Sequence, residues 1–181
     1  MRRAVFLDRD GVVNHAVVRD GKPYPPESVL ALRIVAGVPE SLAALRDAGF
    51  LTIVVTNQPD VATGKQSVAT VEAMHARLRG KLPLDDIKVC YHRDEDGCDC
   101  RKPKPGMLVR AASEFGIDLA KSYMVGDRWR DVAAGQAAGC ASFFIDHGYR
   151  EKRPDPPYIA VKSLAEASVH ILAGFPRENK D

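Results

Sequence analysis

The chain has 181 residues, 45% hydrophobic and 28% charged, with a formal net charge of +2 at pH 7. That suits one domain with a real core, and the charge is too small to argue for binding to nucleic acid or a membrane surface. No apolar run approaches the roughly 20 residues that cross a bilayer, and the run after Met1-Arg2-Arg3 is too short for a signal peptide, so a cytoplasmic protein is expected.

From the N-terminus, residues 4–7 (AVFL) read as a buried strand, followed by a polar, proline-rich excursion over 15–36. Residues 38–48 have helical spacing and stop at Gly49. Residues 50–55 (FLTIVV) are a second buried strand, and 67–79 a helix with Ser67 placed to cap it. A short strand over 87–91 leads into a loop rich in cysteine at 90–104, then a helix over 105–115 with Pro105 in its first turn. Strand 122–125, helix 131–139, strand 141–145 and helix 163–173 complete the pattern, and the tail 175–181 is expected to fray. Continuous apolar strands alternating with helices predict one α/β domain over 1–181, a mainly parallel sheet between helical layers. Such sheets bind ligands outside the carboxyl ends of their strands.

Those ends are chemically distinctive. Asp8-Arg9-Asp10-Gly11 follows the first strand and Thr56-Asn57-Gln58 the second. Arg101-Lys102-Pro103 follows the third and its loop, and Gly126-Asp127-Arg128 the fourth, with Asp131 one helical turn on. Carboxylates, a hydroxyl, amides and cations around one crevice suit phosphoryl transfer. Carboxylates hold Mg²⁺, one carboxylate can attack phosphorus, and a second can move the proton. Hydroxyl and amide groups meet the charge that builds on the non-bridging oxygens.

The loop at 90–104 carries Cys90-x-His92 and, five residues later, Cys98-x-Cys100. Three thiolates and an imidazole form a closed tetrahedral donor set, the signature of structural Zn²⁺. Apart from Tyr91 the loop has no bulky apolar residue, so a metal rather than a core would order it, and the last ligand runs straight into Arg101 and Lys102. Cys140 stands apart and reads as a small buried residue.

The four strand-end motifs, in order and over nearly the whole chain, resemble the haloacid dehalogenase (HAD) superfamily, which implies a Rossmann-like three-layer fold. By that resemblance Asp8 is the nucleophile and a metal ligand, Asp10 the general acid/base (its backbone carbonyl also facing the metal), and Lys102 the residue that screens the nucleophile's charge. Thr56, Asn57 and Gln58 fall in the phosphate-binding motif, Asp127 binds Mg²⁺, and Asp131 supports it. The zinc loop running into Cys100-Arg101-Lys102-Pro103-Lys104-Pro105-Gly106-Met107 narrows the likeness to the D-glycero-D-manno-heptose 1,7-bisphosphate 7-phosphatases, which have little or no cap domain and serve lipopolysaccharide or S-layer sugar synthesis. There Arg101 and Arg128 correspond to substrate contacts, and the partner implied is a small phosphorylated metabolite met by a monomer. Histidinol-phosphate phosphatases share the zinc loop and are the alternative. The sequence departs from the heptose pattern at Pro59-Asp60-Val61-Ala62-Thr63, which lacks an arginine, and at Val12. A non-catalytic zinc-stabilised binding module is the alternative from another class. His75 and His170 read as helix-surface residues.

Overall fold

The strand β1 (Arg3–Leu7) has Ala4 through Leu7 wholly out of water, which explains its unbroken apolar run. It lies in parallel between β4 (Phe50–Asn57) and β6 (Tyr123–Gly126). In this computed structural model, which describes residues 1–175, β5 (Asp86–Cys90), β7 (Ala141–Ile145) and β8 (Ile159–Val161) extend the sheet. The order is β5-β4-β1-β6-β7-β8, every pair parallel. Residues 176–181 of the expected frayed tail lie outside the described residues.

Alternate side chains of β1 point to opposite faces. Val5 and Leu7 join Leu42 and Leu45 of α1 (Val38–Asp47), Met74 and Leu78 of α2 (Val68–Lys81) and Leu164 and Ile171 of α5 (Leu164–Leu172). Ala4 and Phe6 join Met107 and Leu108 of α3 (Gly106–Phe115) and Ala134 of α4 (Trp129–Ala138). The result is the expected three-layer α/β fold. Ser67 caps α2 as expected, accepting a bond from the Thr70 N–H at 3.0 Å. Helix α4 begins two residues before its expected start, because the Asp131 carboxylate accepts the Arg128 N–H at 2.9 Å and closes its first turn.

Two elements were not expected. Within the excursion, β2 (Val17–Arg19) and β3 (Lys22–Tyr24) form an antiparallel hairpin across Asp20-Gly21, both at positive φ. That two-residue turn suits the twist of a hairpin. No cap domain follows; the hairpin rests on the loop after β7, where the Arg150 N–H donates to the Gly21 carbonyl at 2.7 Å. The second is β8, three residues long on the sheet edge. No helix among the described residues is long and apolar enough to cross a membrane.

The chain runs outward from β1 through β4 to β5, then crosses back to β6 on the other side of β1. The carboxyl ends of β1 and β6 therefore flank the point where the winding reverses, the favoured ligand crevice of such sheets. Asp8 and Asp127 follow those two strands directly.

Candidate active site

Lys102 is almost fully buried, and its ammonium is held at three points. It donates to Asp8 Oδ1 at 2.8 Å and the Val55 carbonyl at 2.7 Å, and pairs with Asp131 Oδ1 at 2.6 Å. Three donors meet three acceptors, so the side chain has no freedom left. Burial alone would lower its pKa; Asp131 and Asp8 reverse that and hold it above the ordinary lysine value. Asn57 locks the backbone of the same residue, donating to the Lys102 carbonyl at 3.0 Å and accepting its N–H at 3.1 Å. The asparagine expected to bind phosphate thus spends both ends of its amide on positioning the lysine loop.

Asp8, Asp127 and Asp131 are all buried, with carboxylate oxygens within 4.8 Å of one another. Burial first, then the Asp131 charge, raises the Asp8 pKa to about 6. Burial and the Asp8 charge hold Asp127 well above the usual carboxylate range. Asp127 Oδ2 accepts from the Tyr149 hydroxyl at 2.8 Å, while its Oδ1 is buried with no partner. Gly11, at φ +92°, lets the chain pass this carboxylate: a Cβ there would fall 1.9 Å from Asp127 Oδ2. Crowded acids with one orphaned buried oxygen and a single lysine fit a hard divalent cation.

The Asp10 carboxylate points elsewhere. It accepts from Arg9 Nη2 at 3.1 and 3.0 Å, from Asn14 Nδ2 at 2.9 Å and from Gln58 Nε2 at 2.8 Å. Gln58 also donates to Thr56 Oγ1 at 2.9 Å, so the second motif bears on Asp10 as well as on the crevice. Arg9, wholly buried, reaches His75 Nε2 with Nη1 at 3.2 Å. His75 is therefore not a helix-surface residue: it is 1% exposed and packs on the inner face of α2. Burial and the neighbouring guanidinium lower its pKa to about 4. His170 is half-buried, stacked on Phe143.

A crevice of about 330 Å³ opens over Asp8, Asp10, Lys102 and Asp131. Four cations line its wall: Lys22, Arg128, Arg130 and Arg150. Arg128 is paired with Glu151 (Nε to Oε2 3.0 Å), and Arg130 with Asp94 at 2.9 Å. Arg101, expected at the substrate, is not in this wall. Its Nε donates to Asp94 Oδ1 at 2.9 Å and its Nη1 to the His92 carbonyl at 3.2 Å, which ties it to the cysteine loop. Thr63 and Lys65 are also outside the crevice, whereas Asp60 lines it.

In the cysteine loop all three sulfurs are free thiols gathered around His92. Sγ of Cys100 lies 3.1 Å from Cys90 and 3.4 Å from Cys98, and His92 Nδ1 lies 3.3 Å from Cys100 Sγ. A tetrahedral zinc with bonds of about 2.3 Å would hold its sulfurs a little under 4 Å apart, so the four donors need little rearrangement. Burial and the Cys100 thiol push Cys90 up to about 12. Burial would raise Cys98 too, but the Arg101 N–H and the other thiols bring it down to about 7. Three sulfurs and an imidazole gathered this closely suit a shared cation.

A family model described as HAD-hydrolase-like matches residues 99–167. The chain is similar to the D-glycero-β-D-manno-heptose-1,7-bisphosphate 7-phosphatase of Pseudomonas aeruginosa, 39% identical over 154 residues that cover 81% of this chain and 83% of that protein. Similarity to the Escherichia coli K12 protein of the same name is 33% over 191 residues, covering 98% and 93%. Among solved structures, the D,D-heptose 1,7-bisphosphate phosphatase from B. bronchiseptica, complexed with magnesium and phosphate, matches with a TM-score of 0.79 at 30% identity, over 95% of this chain and 99% of that one.

Proposed function

Because the chain belongs to the D-glycero-β-D-manno-heptose-1,7-bisphosphate 7-phosphatase family of HAD-like hydrolases, we propose that it is a magnesium-dependent phosphomonoesterase that removes the 7-phosphate of that sugar. The observation that carries the reading is the convergence of Asp8, Asp127, Asp131 and Lys102 at the reversal of the sheet, with one carboxylate oxygen left without a partner.

Asp8, Asp127 and the backbone at Asp10 would hold Mg²⁺, which when bound neutralises the acids and the non-bridging phosphate oxygens. Lys102 fixes Asp8 and adds a positive charge beside the phosphoryl group. An Asp8 oxygen attacks phosphorus in line, and the bond to the sugar oxygen breaks. Asp10 gives its proton to that oxygen. Asp10 then takes a proton from water, which attacks the aspartyl phosphate, releases inorganic phosphate and restores Asp8. Asp131 holds Lys102 and the start of α4 together. Thr56, Asn57 and Gln58 shape the phosphate end of the crevice, chiefly by holding Asp10 and the lysine loop. Cys90, His92, Cys98 and Cys100 would hold a structural Zn²⁺ that fixes the loop delivering Lys102, with Arg101 bracing that loop through Asp94 and the His92 carbonyl.

A crevice of this size suits a sugar with two phosphates. Lys22 and Arg150 are its two wall cations with no acidic partner among the described residues, which leaves them free for the phosphate that stays on the product. Arg128 stands beside them, its fork engaged by Glu151 through Nε and Nη2. The test is a substrate panel ranked by kcat/KM: both anomers of the heptose 1,7-bisphosphate, histidinol phosphate and simple sugar monophosphates. Preference for a bisphosphate anomer supports the reading. Preference for histidinol phosphate would move the chain to that function, and no phosphate release from any ester, with Mg²⁺ present, would favour a binding module.

A further inference from the structure

We propose that His75 is a positioning residue for the reaction: by anchoring Arg9 it sets the orientation of the Asp10 carboxylate. The proposal rests on Asp10 being the proton donor to the leaving oxygen.

Arg9 lies between two site acids in sequence, yet it is wholly buried, and among the described residues its guanidinium bonds to Asp10 and His75 rather than to Asp8. Its fork instead grips Asp10, with Nε at 3.2 Å from Oδ1 and Nη2 at 3.0 Å from Oδ2. A guanidinium has five N–H donors and no acceptor, so a buried one needs acceptors on every side. Asp10 supplies one side. The other is His75 Nε2, 3.2 Å from Nη1. Since the guanidinium can only donate, that ring nitrogen must carry a lone pair and the ring proton must sit on Nδ1, which faces Glu72 at 3.7 Å. Glu72 also accepts from the Tyr91 hydroxyl at 2.7 Å, so the support runs from the crevice to the edge of the cysteine loop.

Without the His75 acceptor, Arg9 Nη1 would be buried with an unmet donor, and the guanidinium would rotate to find one. Asp10 would turn with it, because two of its strongest bonds come from that fork. A proton donor set wrongly by a fraction of an ångström loses rate while substrate binding is spared.

The test uses the geometry of the imidazole. A glutamine at this position can place a side-chain oxygen where Nε2 stands; an asparagine reaches only the Nδ1 site. We compare wild type with His75→Gln, His75→Asn and His75→Met, each checked for folding by thermal unfolding with Mg²⁺ and zinc present. Two substrates are used: the alkyl ester found best in the panel, whose leaving oxygen needs a proton, and p-nitrophenyl phosphate, whose leaving group departs without one. The readout is kcat/KM, which reports steps up to departure of the leaving group, together with kcat and KM separately. For His75→Asn and His75→Met, kcat/KM on the alkyl ester should fall about tenfold or more through kcat, with a much smaller fall on p-nitrophenyl phosphate. His75→Gln should recover most of the loss. Equal losses on both substrates, as general loosening would cause, overturn the proposal, as does no loss in either variant or failure of glutamine to rescue. A wild type inactive on both substrates overturns the phosphatase reading and this inference together, whereas an active wild type with indifferent variants overturns this inference alone.

Discussion

Asp8→Asn should abolish turnover and at the same time make the Mg²⁺-free protein more stable. The nucleophile is lost, so phosphate release should fall on the order of 10⁴-fold or more. Stability moves the other way because of what surrounds Asp8. Burial and the Asp131 charge raise its pKa from 3.8 to about 6, despite the Lys102 ammonium at 2.8 Å. Each pKa unit is worth about 1.4 kcal/mol, so an ionised Asp8 costs the metal-free fold about 3 kcal/mol above pH 6. Asparagine keeps an oxygen for Lys102 and removes the charge, which should return about 1–3 kcal/mol, or several degrees in Tm for a chain of this length. The pH dependence carries the same sign. A raised folded pKa means the folded state binds the proton more readily, so wild-type stability falls as pH rises from about 4 through about 6. The variant should lack that part of the slope. The assays are phosphate release with Mg²⁺ and thermal unfolding without it, on zinc-replete protein whose mass excludes deamidation back to aspartate. Residual turnover above about one per cent of wild type would sink the nucleophile assignment. A lower Tm for the variant without Mg²⁺ would refute the crowding of charge on which the cation site is argued.

Tyr149→Phe removes the bond at 2.8 Å that orients Asp127, and should weaken Mg²⁺ binding about tenfold by calorimetry while the fold persists; an unchanged Kd would make the tyrosine incidental. Stripping zinc, or Cys98→Ser, should loosen the 90–104 loop in hydrogen exchange and leave activity low after Mg²⁺ is restored; full recovery in protein shown to be zinc-free would remove zinc from the account. His75, held near pKa 4 by burial and by Arg9, stays neutral in the fold while an unfolded histidine protonates below about 6.5. Its contribution, on the order of 3 kcal/mol, is therefore present above about pH 6.5 and lost on going down to about 4. Chemical unfolding at stepped pH should show a steeper acid loss for wild type than for His75→Gln, and parallel profiles would contradict the buried neutral ring.

The core of the site was legible because parallel strands are buried on both faces. Their apolar runs stop abruptly at water, so Asp8, Thr56 and Asp127 stand out as the first polar residues after AVFL, FLTIVV and SYMV. The cysteine spacing was legible for a similar reason: few other arrangements explain four donors in so short a loop. What escaped depended on tertiary partners. Arg9 between two acids looks solvated, and only the fold shows that it turns inward. His75 did leave a signal, since Val71, Met74, His75 and Leu78 follow the spacing of one helical stripe, all four buried. The stripe shows His75 facing inward, but not that Arg9 waits there as its partner. The hairpin carries an Asp20-Gly21 turn signal, but its strands are only three residues long and one contains Pro23, so its pattern is faint. Tyr149 and Arg150 carry no local mark, because their roles come from a loop that returns to the β1 end from far along the chain. Arg101 parts from its neighbour for the opposite reason: Lys102 enters the site, whereas Asp94 draws the arginine back to the cysteine loop.

The charge inventory of the crevice accounts for the order in which it must fill. Three buried carboxylates face one ammonium, an excess of two negative charges once all three are ionised, where a phosphate dianion has to arrive. Arg9 cannot make up the difference, because its fork faces Asp10 and His75 rather than these three acids. The arginines nearest the floor are committed too, Arg128 to Glu151 and Arg130 to Asp94. A divalent cation matches the deficit, and the orphaned Asp127 Oδ1 marks where it is wanted. Only with it in place does the floor of the crevice stop repelling phosphate. The lining cations with no acidic partner among the described residues, Lys22 and Arg150, sit one on the hairpin and one on the loop the hairpin rests upon. Neutralisation of the acids thus belongs to the sheet edge, while the cations left without an acidic partner sit on the hairpin and the loop beneath it. Under the proposed function, that division puts the choice of substrate on two short loops and leaves the reaction to the strand ends.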